Sequence, residues 1–440
     1  MRVLALGGAG EMGRVAARVL RGDSRVSALT IADRDVSAAR KVAAELGADA
    51  LGLDVTDSSA LAAALRAADL VVNTVGPYFR FGPPVLAAAI DARCDYIDIC
   101  DDPQPTIEML ELDARAKADG VTALLGMGAS PGIANLLAVR AGAELDRVDN
   151  LVTGWNIHSA HPEPVRFTSA VPSATGSLQA AGPAENGSSV GAGPATAGSS
   201  AFGRTAAGPT AAVVHGMRQI SGEIPVTRDG VRTERPALER LRLDYPGLGT
   251  GVGRSFGHPE AITLPLAFPG LRAATSVVVA DRPTTAALHA LRWTIDRRLL
   301  TLDRAARLAA RVERLLPADP ATLVAAGGLP PLFAIATGLR DGAPATAATA
   351  LSQVPGLSMA ENTGVPLAVG ALLMAADPKP GVHAPETLLD PDRFFTAFAP
   401  HCIGAPAPNA MTVTTRSWSG PEANATALSA SLLTALVAAR

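Results

Sequence analysis

Gly8, Gly10 and Gly13 stand at the spacing G-x-G-x-x-G directly behind the apolar run Arg2-Val3-Leu4-Ala5-Leu6. Residues of that kind could seat a diphosphate. The first glycine permits a tight turn, the second lets backbone approach a pyrophosphate, and the third lets a helix pack on a strand. A helix N-terminus adds unpaired amides and a partial positive charge that attract the anion. Gly8, Gly10, Glu11, Met12 and Gly13 are therefore candidate dinucleotide contacts. Asp33 closes the next apolar run, 27–32. A carboxylate there would accept both adenosine ribose hydroxyls and repel a 2′-phosphate. Arg34 behind it could stack on adenine or meet a 2′-phosphate, so NAD is the expected cofactor and NADP the second option. Asp54 and Val55 follow a third strand and suit the adenine amino group, although Asp54 equally suits a helix cap.

These groups need a sheet to hold them. The alternation of short apolar runs with helical periodicity continues through Leu70–Val75, a strand buried on both faces, then 95–100 and 121–125. Six strands alternating with helices predict a Rossmann-type doubly wound parallel sheet. Helices are expected over 36–46, 59–68, 84–92 and 107–118. Ligands of open α/β sheets bind beyond the strands' carboxyl ends. Asn73, Thr74 and Gly76 are thus further cofactor candidates. The same edge carries a loop, Tyr78-Phe79-Arg80-Phe81-Gly82, and the acid pair Asp101-Asp102.

Gly128-Ala129-Ser130-Pro131-Gly132 matches the G-x-S-x-G of serine hydrolases after a strand and before a helix. The residue after the serine should lend its N–H to the oxyanion hole, and Pro131 has none. The hydrolase reading is rejected. Beyond Leu151 the pattern turns to short strands, with hairpins predicted at 228–230 and 340–342 and helices between 285 and 315. Residues 172–209 are almost wholly Ala, Gly, Ser, Pro and Thr and predict a flexible insertion. The expected organisation is a dinucleotide-binding domain at 1–135, an inserted α+β substrate and dimerisation domain at 136–357, and a return at 358–440 packing on the first domain.

Composition removes several classes. With 48% hydrophobic and 18% charged residues in 440, the chain can bury large cores. A net charge of -3 leaves no footprint for nucleic acid. Cys94, Cys100 and Cys402 form no C-x-x-C and no disulfide scaffold, which agrees with a cytoplasmic protein. The apolar stretch 365–376 is too short to span a bilayer, so no membrane partner is expected. Lysine occurs only at 41, 117 and 379, which argues against Schiff-base chemistry. No histidine, cysteine and carboxylate spacing predicts a metal site.

GGAGEMGRVAARVL at 7–20, VVNTVGPYFRFGPPVLAAAIDARCDYIDICDD at 71–102 and LLGMGASPGIANLLA at 124–138 form an ordered series. It continues with SGEIPVTRDG at 221–230, GHPEAITLP at 257–265, NTGVPLAVGALL at 362–373 and GVHAPETLLDPDRFF at 381–395. Together they resemble the saccharopine dehydrogenase family, in the subset with lysine 6-dehydrogenase and carboxynorspermidine dehydrogenase. The resemblance implies a nicotinamide-dependent oxidoreductase acting at a CH–NH bond of an amino acid or polyamine-type substrate. By position it implies active-site roles for Tyr78, Asp101 and Asp102. Adjacent carboxyls can hold a cationic amine, and crowding can raise one pKa; a helix cap accounts for the pair equally well, and packing for Tyr78. Some saccharopine reductases carry a cysteine and an aspartate where this chain has Met127 and Ser130, which puts saccharopine itself in doubt as substrate.

Arg80, then Arg254, are the candidates for a substrate carboxylate, because a guanidinium pairs with it bidentately. Of the second-domain histidines His158, His161, His215 and His258, His215 is the candidate substrate contact, with a satisfied core histidine as the alternative. A homodimer is expected by analogy. Two other functions fit the same features: reduction of a carbon–carbon double bond on a lipid-like substrate, and a non-catalytic NAD sensor.

Overall fold

Val3 to Leu6 are buried on both faces of the first strand, β1 (Arg2–Leu6), so helices must cover it from either side. The computed structural model describes residues 1–157, 211–313, 328–356 and 358–438. The expected insertion at 172–209, with His158 and His161, lies outside them. After β1 come α1 (Glu11–Arg21), β2 (Ala28–Asp33), α2 (Val36–Leu46), β3 (Asp49–Gly52) and α3 (Ser58–Arg66). Then follow β4 (Leu70–Asn73), α4 (Tyr78–Ala92), β5 (Asp95–Asp98), α5 (Pro103–Leu110), α6 (Asp113–Asp119) and β6 (Thr122–Leu124). The parallel sheet reads β6-β5-β4-β1-β2-β3 and gains a seventh strand, β15 (Gly381–His383), beside β6. Strand order reverses between β1 and β4, which opens a crevice above their carboxyl ends.

Two helices differ from expectation. Tyr78–Gly82 is the first turn of α4 and not a loop, because Arg80 N and Phe81 N both donate to Pro77 O. Pro83 and Pro84 withhold donors from the carbonyls of Phe79 and Arg80, and both of those residues are exposed, where water can serve. The helix expected over 107–118 divides into α5 and α6 at Glu111-Leu112.

The second layer is a mixed sheet of nine strands. Its strands are β7 (Arg147–Asn156), β8 (Glu223–Arg228), β9 (Val231–Pro236), β10 (Arg240–Tyr245), β11 (Gly249–Ser255), β12 (Ala273–Val279), β13 (Leu332–Arg340), β14 (Ala343–Leu351) and β16 (Thr412–Arg416). Both expected hairpins form. Asp229-Gly230 joins β8 to β9 and Asp341-Gly342 joins β13 to β14, each with positive φ at both residues. That is the mirror-image turn whose twist matches paired strands. Helices α7 (Ile133–Gly142), α8 (Ala211–Gln219), α9 (Glu260–Ala267), α10 (Arg282–Asp296) and α11 (Leu302–Glu313) accompany this sheet.

The expected C-terminal return divides between the layers. Helix Met359–Ala376 packs on α1 so closely that a Cβ at Gly364 would lie 2.6 Å from Met12 O. β16, however, pairs antiparallel with β14 in the second sheet, because its backbone completes that ladder and not the parallel one. The apolar run at 365–376 is part of an 18-residue helix, long and apolar enough by length and composition to cross a membrane. In this fold 61% of it is buried inside the protein, where it is a core helix against α1.

A buried polar joint ties the layers together. Asn135 on α7 donates to Glu386 Oε2 at 2.8 Å and accepts from Gly132 N. Burial pushes the Glu386 carboxyl up to about 7. The folded chain therefore holds a proton there that the unfolded chain releases, so this contribution is present at low pH and fades as pH rises toward about 7. Glu386→Gln is expected to be more stable than wild type at about pH 8, by on the order of 1–3 kcal/mol, and indistinguishable near pH 4. Urea melts at the two pH values measure it, and equal shifts at both would refute the assignment.

Candidate active site

The glycine turn has the shape its spacing predicts. Gly7 N and Gly8 N donate to Ala32 O, and Gly10 caps α1 without a side chain. A Cβ on Gly13 would lie 2.5 Å from Gly7 O and 2.8 Å from Thr74 Oγ1, so only glycine lets α1 pack there. A Cβ on Gly10 meets only Gly7 O, at 3.2 Å, so the surface above it is open. An uncapped N-terminus with an open approach fits a dinucleotide diphosphate. Glu11 is exposed in the first turn, while Met12 faces helix Met359–Ala376.

Asp33 ends β2 at the crevice, its Oδ1 accepting from Asp35 N at 3.0 Å, and Arg34 beside it is exposed. Asp33→Ser is expected to raise NADP affinity relative to NAD by about tenfold, since a charge facing the 2′-phosphate is removed. Titration with both cofactors reads the ratio. Asp54 is exposed and bound by its own turn, at 2.9 Å to Thr56 N and 2.7 Å from Thr56 Oγ1. Those bonds, followed by weaker attraction from Arg34 and Arg80, hold its carboxyl below the usual range. Arg80 is exposed, its guanidinium 5.1 Å over the Phe81 ring. Val55 is half-buried behind Asp54.

Asn73 and Thr74 serve the scaffold. The Asn73 amide donates to Tyr96 OH and its Oδ1 accepts from Val75 N. Thr74 Oγ1 donates to Leu6 O at 2.9 Å, beneath the glycine turn. Both side chains spend their polar atoms within the scaffold, and the half-buried Gly76 follows them just before α4. Tyr78 is buried too. Its hydroxyl donates to Asn73 O at 2.7 Å and accepts from Ile99 N, so both its hydrogen-bonding directions are used. That geometry makes it a strut between β4 and β5, in line with the packing alternative for this residue.

The acid pair meets the second domain. Asp101 Oδ1 lies 2.7 Å from His215 Nδ1, and Gln219 Nε2 donates to Asp101 O at 2.6 Å. His215 and Gln219 lie one turn apart on α8 and so reach down together. His215 Nε2 accepts from Tyr78 N at 3.2 Å, which puts the neutral ring's proton on Nδ1, pointing at Asp101. Burial opposes charge on both partners, but each favours the other's ionised form; Asp101 is held below its ordinary range and His215 above. Asp102 is more deeply buried, and burial raises its carboxyl despite Arg218 at 3.3 Å. Arg218 also lies 4.7 Å over the exposed Phe79 ring. Asp101 keeps about a quarter of its side chain exposed (27%), whereas Asp102 keeps 5%. Asp101 is therefore the acid that a ligand can touch.

Arg254 does not join this cluster. On β11 it faces α10, near enough to His289 to add to the burial that lowers that imidazole. Arg218 takes the place expected for Arg80 or Arg254. Its only sequence signal was its spacing, three residues after His215 on what proves to be one helix face. Asp98, at the end of β5, was also missed. Fully buried, it accepts from Cys100 N, Gly126 N and Tyr96 OH, and burial raises it to about 6. Its bonds fix the strand ends from which Asp101 and the 126–132 loop depart.

In that loop, Ser130 Oγ donates to Glu260 Oε1 and contacts His258 Nδ1 at 3.1 Å. It is not arranged as a hydrolase nucleophile, since Pro131 still offers no oxyanion donor. Among the described residues no group of three or more His, Cys, Asp or Glu could hold a metal ion.

Residues 3–124 match the family model described as the saccharopine dehydrogenase NADP binding domain. The chain is 33% identical over 119 residues to the NADP(+)-dependent, L-glutamate-forming saccharopine dehydrogenase of Saccharomyces cerevisiae. It is 32% identical over 125 residues to a putative trans-acting enoyl reductase of Mycobacterium tuberculosis. These matches cover 27% of this chain and 26% and 29% of the relatives, so the chain spans less than a third of their length in alignment. The fold likeness extends further: apo L-Glu-forming saccharopine dehydrogenase of S. cerevisiae superposes with a TM-score of 0.53 at 18% identity, over 90% of this chain and 96% of that one. The crevice built from β1 to β6 lies within the segment that matches that NADP binding domain, and the chain as a whole is similar in fold to the yeast enzyme.

Proposed function

We propose that the chain transfers hydride at a CH–NH bond of an amino-acid or polyamine-type substrate. The observation that carries this reading is Asp101. It is ionised, partly exposed, and held at the crevice edge by His215 and Gln219 of the other domain. The bound nicotinamide would supply the two-electron acceptor. Asp101 attracts a substrate ammonium and fixes the nitrogen's place, since orientation supplies a large part of such rates. His215 keeps that carboxylate charged and aimed. Arg218, a third exposed beside Asp102, offers a guanidinium to a substrate carboxylate.

A second reading has an observation of its own. Both acids already face cations of this chain, and a carbon–carbon double bond would need no further anion; the mycobacterial relative is named for such a reduction. The test is a titration with NAD and NADP, followed by a screen of amines, amino acids and enoyl thioesters read by reduced-nicotinamide absorbance. Turnover of an amine supports the proposal, and turnover of enoyl substrates alone replaces it. Cofactor binding without turnover of either would make the chain a sensor.

A further inference from the structure

We infer that His258, oriented by Ser130 and Glu260, is the base that takes a proton from the substrate at this cleft. The inference rests on the oxidoreductase reading above and adds a group to it. Ser130 leaves the loop after β6, at the carboxyl edge of the parallel sheet. His258 and Glu260 come from the turn between β11 and α9, so the trio joins the two domains. It stands at the same sheet edge as the first cluster, because Asp98 Oδ1 accepts from both Cys100 N and Gly126 N and so holds the start of the Asp101 loop beside the loop that carries Ser130.

Hydrogen-bond counting fixes the tautomer. A serine hydroxyl has one proton, and Ser130 spends it on Glu260 Oε1. Toward His258 Nδ1, 3.1 Å away, Ser130 can only accept, so Nδ1 carries the ring proton. Glu260 Oε2, 3.5 Å from the same nitrogen and otherwise without a hydrogen-bond partner, favours that arrangement. Nε2 is then left with a bare lone pair. No described residue bonds to it, although the ring is only 4% exposed. Trp155 stacks on the ring at 6.5 Å and 19°, and Phe256 meets it edge-on at 4.9 Å, so it cannot swing away.

The geometry suits one elementary step. An N–H bond of the substrate ammonium breaks, its electron pair stays on nitrogen, and the proton bonds to Nε2. The imidazolium so formed is stabilised by the Glu260 carboxylate, whose Oε2 lies 3.5 Å from Nδ1. Ser130 and Glu260 are positioning residues; neither needs to touch the substrate.

Nitrogen-15 imidazole spectra of the full chain, without cofactor or substrate, test the tautomer directly. Free imidazole side chains favour the proton on Nε2, so the neutral His258 ring should be distinctive, with Nδ1 protonated and Nε2 bare. Ser130→Ala should shift population toward Nε2–H. With whichever substrate wild type turns over, His258→Asn should lower kcat/KM on the order of 10²-fold and leave cofactor affinity within about twofold. Nε2–H as the main neutral tautomer, or kcat/KM within about twofold of wild type, overturns the inference. Should wild type turn over no amine, only the amine reading falls, because the tautomer is read in the unliganded chain.

Discussion

Asp101→Asn is expected to lower kcat/KM on the order of 10²–10³-fold, with the affinity for NAD(P) within about twofold of wild type. The substitution keeps the shape of the side chain and removes its charge. Two consequences follow in the cleft. A substrate ammonium loses its counter-ion, and His215 loses the partner that outweighs its burial. Cofactor binding should be spared, because the glycine turn proposed to seat the diphosphate follows β1, on the other side of β4 from Asp101. Comparison of kcat, KM and cofactor dissociation constant separates these effects. Equal loss of cofactor affinity would move Asp101 out of the substrate site and into the scaffold. Asp102→Asn provides the contrast. That carboxyl is already pushed toward its neutral form by burial, so its replacement should cost activity much less.

Gly13→Ala is expected to abolish cofactor binding and destabilise the fold by about 3 kcal/mol or more. The added methyl has no room, being 2.5 Å from Gly7 O and 2.9 Å from Gly8 Cα, so either α1 or the turn must move. Gly10→Ala distinguishes packing from binding. Its methyl meets only Gly7 O, at 3.2 Å, and otherwise points into the space a diphosphate would fill. It should fold with a melting temperature close to wild type, yet bind NAD(P) at least tenfold more weakly. Thermal melts with cofactor titrations test both. If Gly10→Ala binds as well as wild type, the diphosphate does not lie over that turn.

The sequence determined the nucleotide half almost completely, because the signals there are local. Gly8, Gly10 and Gly13 specify a backbone geometry, and Asp33 follows it one strand later. The run Leu70-Val71-Val72 has the apolar character that a parallel strand needs on both faces. Turn chemistry at Asp229-Gly230 and Asp341-Gly342 was equally legible, since those residues accept positive φ. Other features resisted for reasons that are equally physical. The start of α4 at Tyr78 depends on Pro77 O collecting two amides, which a reading that stops helices at prolines cannot foresee. β16 reaches the second sheet only because β14 presents an open edge to it, a pairing across some sixty residues of chain.

Which polar side chains face the cleft was decided by tertiary structure alone. Asp101 and Asp102 are neighbours in sequence, yet burial and different partners give them opposite shifts. Arg80 looked the better guanidinium, yet the fold sets Arg218 beside Asp102, at 3.3 Å. Ser130, His258 and Glu260 are separated by as many as 130 residues, so no spacing rule could join them. A sequence fixes backbone grammar through neighbours a few bonds away, whereas the ionisation and aim of a side chain depend on what other segments bring within a few ångströms.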